Sequence, residues 1–323
     1  MNRLILNMVA LVAIVLGGLG LFMFGIDNIV NPSHPTYEKS VGFAAGAANS
    51  SGDSSSNGDQ AGSAGSSTSG EGKDYNHETS FVELKKLQVK ADVGKVKIEW
   101  IADGQNRVEW NGKAPQSVID TISQAEIDHN GTLSLDFSVN RKWKDTPLLD
   151  LGGQNYEHNV IIHAPAGFVL EQLDSRVAAG DLSIDGLQVK QLKAVNNLGQ
   201  IVVKNVQGEF AELHSDAGDI QAVKLDARLD VSSALGKVKL IDTKQDVEAS
   251  VTTGDLVVEQ ETPHSVDAKV TLGNIVVKAA NGFDGRVTAH STLGNVSLPD
   301  MDGGGALRIK VRTETGNVTV VQK

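Results

Sequence analysis

The chain has 323 residues, 40% of them hydrophobic, a net charge of −11 and no cysteine. That length suffices for one or two domains with a sizeable core. The acidic balance argues against nucleic acid as a partner, and the missing thiols exclude disulfides, Cys–zinc sites, iron–sulfur clusters, thiol catalysis and a cysteine-linked lipid anchor.

In chain order, the first feature is Leu4–Ile26, 23 residues without a charge. As a helix it covers about 34 Å, enough to cross a hydrocarbon core of about 30 Å. Arg3 lies before it and Asp27 after it, so the positive-inside rule predicts residues 1–3 in the cytoplasm, a transmembrane helix over 4–26, and everything later outside. A cleaved signal peptide is the rival reading. Its apolar stretch would be too long, and the first small-residue cleavage-like site, Ala45-Gly46-Ala47, lies far downstream. Residues 27–79 are predicted as a flexible linker. Within them, 49–70 hold nine Ser and five Gly in 22 residues, too little apolar surface to offset the entropy of ordering.

The folded part is predicted to span 80–323 as an all-β domain. Its regular portion, 173–323, is a repeat marked by Gly180, Gly199, Gly218, Gly236, Gly254, Gly273, Gly294 and Gly316, at intervals of 19, 19, 18, 18, 19, 21 and 22. Two and four residues after every one of these glycines the chain is apolar, as in Leu256 and Val258 or Ile275 and Val277. Before each glycine the inward positions are expected at −7, −5, −3 and −1. Spacing by two marks strands with one buried face. The phase slips at the glycine, which therefore reads as a structural corner where positive φ or a bulge turns the strand. Stacked in parallel, such units make a β-solenoid of about 19 residues per turn. A leucine-rich α/β solenoid has a similar period, but no unit carries a helical i, i+3, i+4 run.

An earlier copy, "LQVKADVGKVKIEW", centres on Gly94. Residues 80–172 are accordingly read as the N-terminal part and cap of the same solenoid. They are expected to include a hairpin with Trp100 and Trp110 flanking "DGQN", a second hairpin at 129–131, one short helix within 115–123 and a strand at 159–165. The last unit ends at "VTVVQK" with no helix to cover it, which predicts an open strand edge and end-to-end self-association or a partner there.

The opening "LQVKADVGKVKI", the passage "NVIIHAPAGFVLEQLDSRVAAGDLSIDGL" and the glycine-and-aliphatic units after it resemble the bacterial "putative adhesin" family. The resemblance covers about residues 80–323. It implies a membrane-anchored, toast-rack-like right-handed β-helix, and it supplies no catalytic motif to carry over. Related domains occur on membrane-anchored proteins linked to envelope stress responses.

Candidate chemistry is sparse. The residues after the glycines are Asp181, Gln200, Asp219, Lys237, Asp255, Asn274, Asn295 and Asn317. They read as corner residues that bond the local backbone. Asp on alternate rungs, about 9.6 Å apart, would suit an inverting glycosidase, but no Trp or Tyr follows Arg176 to offer a sugar-stacking face. The glycine density is too low for a calcium nonapeptide repeat, and the eight histidines form no ligand pair, so no cofactor or metal is expected. The candidate interaction loop is Arg141, Lys142, Trp143 and Lys144, three cations around an aromatic in an acidic chain. The expected function is a non-catalytic, adhesin-like binding or scaffolding module at the cell envelope, contacting a polymer or a protein. Two alternatives stand beside it: a regulatory or sensing partner in envelope stress, and a polysaccharide-modifying enzyme.

Overall fold

The computed structural model describes residues 72–139, 156–299 and 303–323. The expected transmembrane helix at 4–26 and the Ser/Gly-rich stretch lie outside the described residues. Among the described residues no helix is long and apolar enough to cross a membrane.

The domain is a β-solenoid. Each rung has two arms joined at a glycine. The first arms of successive rungs are Leu170–Ala179 (β7), Val189–Leu198 (β9), the second half of Ile201–Ala217 (β10), the second half of Ile220–Leu235 (β11), Val247–Thr253 (β13) and Val266–Leu272 (β15), all parallel and in register. The second arms are Leu182–Asp185 (β8), the first halves of β10 and β11, Val238–Thr243 (β12), Leu256–Gln260 (β14) and Ile275–Ala279 (β16). In-register stacking turns the sequence period into columns. Leu182, Ile201, Ile220, Val238, Leu256, Ile275 and Val318 form one such column, every member at most 1% exposed. Removing such columns from water is the main force holding the rungs together.

At the corners the backbone reaches φ of +141° at Gly254 and +144° at Gly273. A Cβ at Gly254 would overlap the carbonyl of Gly236 on the neighbouring rung. Two physical demands thus meet at these positions, left-handed backbone and close approach of the next rung. Buried polar side chains three residues before one corner glycine satisfy the corner carbonyl of the neighbouring rung. Asn196 donates to Gly180 O at 2.7 Å and Thr313 to Gly273 O at 3.0 Å.

Four expectations need correction. First, the −1 positions do not face inward. Leu198, Leu235, Leu272 and Leu293 are 57, 45, 46 and 67% exposed. The strand leaves the inward phase at −2, ahead of the glycine, because the corner's turn carries the −1 side chain out with it.

Second, the spatial order of rungs departs from chain order at the C-terminal end. Arg308–Thr315 (β19) pairs with β15 on one side and Arg286–Leu293 (β17) on the other, and Val318–Gln322 (β20) lies between β16 and Val296–Ser297 (β18). The chain jumps past one rung and comes back to fill it. The start of "VTVVQK", Val318 and Thr319, is therefore paired on both sides, while Val320–Gln322 pair with β16 alone, and the outermost rung is β17–β18. Its Val296 and Leu298 are exposed where the repeat pattern predicts burial.

Third, the linker ends earlier than 79. Lys73–Ser80 is a strand (β1), antiparallel to Arg107–Ala114 (β4). Its inward Tyr75 is buried, which compensates for a polar composition that reads as coil.

Fourth, Lys95–Ala102 (β3) and β4, on either side of "DGQN", do not form a paired hairpin. Glu157–Ala164 (β6) lies between them, parallel to β3 and antiparallel to β4. The N-terminal end thus repeats the device of the C-terminal end. Lys86–Val93 (β2) is sandwiched between Thr132–Phe137 (β5) and β7, so the rung of Gly94 is covered by a later one. The turn at 129–131 is closed by a single antiparallel bridge, Ile127 to Leu133. One helix, Gln116–Ile122 (α1), packs Val118 and Ile122 onto this cap, and the buried Trp110 indole donates to Ile122 O at 3.2 Å. Trp100 is only partly buried against the core.

Candidate binding surfaces

The polar corner column is built from hydrogen bonds between rungs. Asp181 Oδ1 accepts the backbone N–H of Gln200 at 3.1 Å, Asp219 Oδ1 that of Lys237 at 2.8 Å, and Asp255 Oδ1 that of Asn274 at 3.0 Å. The pattern runs on through Asn274 Oδ1 to Asn317 N and Asn317 Oδ1 to Asn295 N, each at 2.9 Å. These side chains cap amides that the corner leaves without a ladder partner. One side-chain oxygen of each is thus engaged in holding the scaffold.

The N-terminal cap holds a buried aromatic cluster. Tyr75 Oη lies 2.9 Å from His158 Nδ1, and the Phe137 and His158 rings stack with centroids 4.2 Å apart. Burial lowers the His158 pKa to about 4 and pushes the Tyr75 phenol up, so the bond joins a protonated phenol and a neutral imidazole. Nearby, His163 Nδ1 sits 2.6 Å from Asp103 Oδ2, and that hydrogen bond holds the Asp103 carboxyl below its ordinary range. His158 itself is 1% exposed, out of a ligand's reach. Among the described residues no group of three or more His, Asp or Glu side chains converges as a metal site would require.

A different kind of surface lies where β1 leads into β2 and β6 into β7. Phe81 and Phe168 pack with ring centroids 5.8 Å apart and line a shallow open depression. Val82 is fully exposed beside it and Val169 nearly half so. Its polar rim includes the Glu83–Lys85 ion pair at 3.0 Å, and the Phe81 amide is fixed by donation to Asn106 O at 2.9 Å. Both loops are anchored at two ends by strands of the solenoid, so the apolar groups are held out on a rigid base. Sequence reading missed this site because the linker was drawn up to its edge. The available signal was two apolar pairs, Phe81-Val82 and Phe168-Val169, placed between strands where turns are normally polar.

The interaction loop of Arg141, Lys142, Trp143 and Lys144 lies outside the described residues. In the chain it joins β5 to β6.

Solved structures that resemble the chain come from several bacteria. One, called a putative adhesin, from Bacteroides fragilis, is 17% identical, with a TM-score of 0.43, covering 78% of this chain and 97% of that one. A putative lipid binding protein from Parabacteroides distasonis is 14% identical, with a TM-score of 0.39 and coverages of 79% and 98%. A putative cell adhesion protein from Clostridium sporogenes is 13% identical, with a TM-score of 0.26 and coverages of 78% and 100%. No curated protein matches the chain. The Toastrack DUF4097 family model matches residues 84–321, most of the chain and nearly all of the solenoid. On that match the chain belongs to the Toastrack DUF4097 family.

Proposed function

We propose that this protein is a non-catalytic binding module of the cell envelope, held at the membrane by the apolar segment 4–26 and presenting its solenoid outside the cytoplasm. The observation that carries the reading is the depression at Phe81 and Phe168. It exposes Val82 and Val169 beside two half-buried aromatic rings on a rigid support, the arrangement that receives an apolar side chain of a protein partner. The corner carboxylates, the best acid–base candidates in the sequence, are instead bonded to the next rung's backbone. The basic loop at Trp143 is proposed as a second contact, suited to anionic groups of the envelope.

Retention on isolated cell envelopes of the chain freed of its apolar segment, residues 72–323, tests this. Val82→Asp with Val169→Asp should lower retention about 10-fold or more, and Trp143→Ala with Arg141, Lys142 and Lys144 changed to Ala should lower it separately. Retention unchanged by the first pair would overturn the role of the depression.

A further inference from the structure

The outward −1 positions form a single ridge along the corner edge. Strand register places them in the spatial order Val93, Ala179, Leu198, Ala217, Leu235, Thr253, Leu272, Thr315, Leu293. From Ala179 onward large and small residues alternate without exception. That alternation does not exist in the chain, where Leu272 is followed by Leu293 and then Thr315. It arises because the C-terminal rung slots in between its two predecessors. Rungs lie about 4.8 Å apart, so the four leucines stand about 9.6 Å apart, each separated from the next by a small residue.

A row of knobs and gaps at one period is complementary to itself when reversed and shifted by one rung. We propose that a second copy of this chain docks on the ridge, antiparallel, with the two-fold axis between the rungs of Gly236 and Gly254. In this register Leu235 faces Thr253 of the second copy, Ala217 faces Leu272, Leu198 faces Thr315 and Ala179 faces Leu293. Every leucine meets a small residue. A two-fold axis parallel to the ridge would instead set leucine against leucine at the same height.

The polar column beside the ridge agrees in charge. A two-fold axis across the ridge brings the +1 columns of the two copies face to face. Lys237, the only cation from Asp181 to Asn295 in that column, then meets Asp255 of the second copy. Asp219 meets Asn274 and Asp181 meets Asn295, so no two carboxylates oppose each other. Size also fits. The eight rungs paired in this register give a contact about 34 Å long, against a diameter of about 32 Å for a circular patch of the standard 800 Å² per partner. This lateral contact is independent of the depression at Phe81 and of the solenoid's ends.

The test uses the full chain in detergent and in isolated membranes. Leu235→Lys with Leu272→Lys alters only side chains already about half exposed, so the melting temperature should hold while self-association by sedimentation velocity weakens about 100-fold. Lys237→Glu should weaken it as well. The chain has no cysteine, which allows a second measurement. A mixture of Leu235→Cys chains with Thr253→Cys chains should form a disulfide-linked dimer on mild oxidation in membranes, and neither variant should do so alone. A wild-type chain that stays monomeric at high concentration, a dimer indifferent to the lysine pair, or cross-linking of Leu235→Cys to itself would each overturn the proposal.

Discussion

Asp255 Oδ1 accepts both the backbone N–H and the side-chain amide of Asn274, each at 3.0 Å, across the gap between two rungs 19 residues apart in sequence. The acidic group after a corner glycine thus acts as a cap for the following turn. An asparagine oxygen serves equally well one rung on, where Asn274 Oδ1 takes the amide of Asn317. Asp255→Asn is therefore expected to be close to neutral. Asp255→Ala should cost about 0.5–1.5 kcal/mol, the ordinary worth of a hydrogen bond at a surface corner. Urea unfolding of the two variants measures the difference. An equal loss in both would show that the charge, and not the acceptor, matters.

Stability should fall on mild acidification, through His158. Its folded pKa of about 4 lies below the ordinary 6.5, so the unfolded chain binds the proton more readily. A histidine with a depressed pKa stabilises the fold less and less as pH drops from about 6.5 towards 4. Between pH 7 and pH 5 this group alone accounts for about 2 kcal/mol, and His264, lowered by burial as well, acts in the same direction. Carboxylates such as Asp103 enter only at lower pH. Thermal melts at pH 7 and pH 5 give the drop. His158→Asn keeps an acceptor near the Tyr75 hydroxyl and should flatten the response, even from a lower starting stability.

The interleaved C-terminal end makes a sharper prediction about cooperativity. Among the described residues β17 and β18 pair only with β19 and β20. Removing residues 308–323 should therefore unfold 286–297 too, although those residues precede the cut. Hydrogen exchange of the truncated chain is expected to show protection lost over both segments and kept up to β16. Protection retained at 286–297 would mean that this rung can dock directly on β15 and β16.

Much of the architecture is legible in the residues. The apolar pairs at +2 and +4 identify the inward columns, since a pleated strand cannot hide its period of two. What escaped has specific causes. Tyr75 is the single buried apolar side chain of β1, too faint a signal to separate a strand from the Ser/Gly-rich coil before it. The strand between β3 and β4 is supplied by β6, about fifty residues later, and no local pattern announces a partner from that distance. The exposed Leu198 and Leu235 look like core by composition. Only the backbone's course into the corner shows which way they point.

By itself the sequence determined the unit: its length, its buried columns, and a glycine wherever left-handed backbone meets the next rung's carbonyl. Those follow from local sterics and from the hydrophobic period. Tertiary structure alone decided the order in which the units stack. The last rungs present nearly the same aliphatic pattern, so any of them satisfies β15 and β16 equally well by local rule. Spans of 21 and 22 residues, in place of 18 or 19, supply the slack to pass one rung and return. That choice covers both edges of β19 and of the first two residues of β20, and leaves β17 outermost. It also sets leucine and small residue in alternation along the outer corner, a surface that has no counterpart in the linear chain.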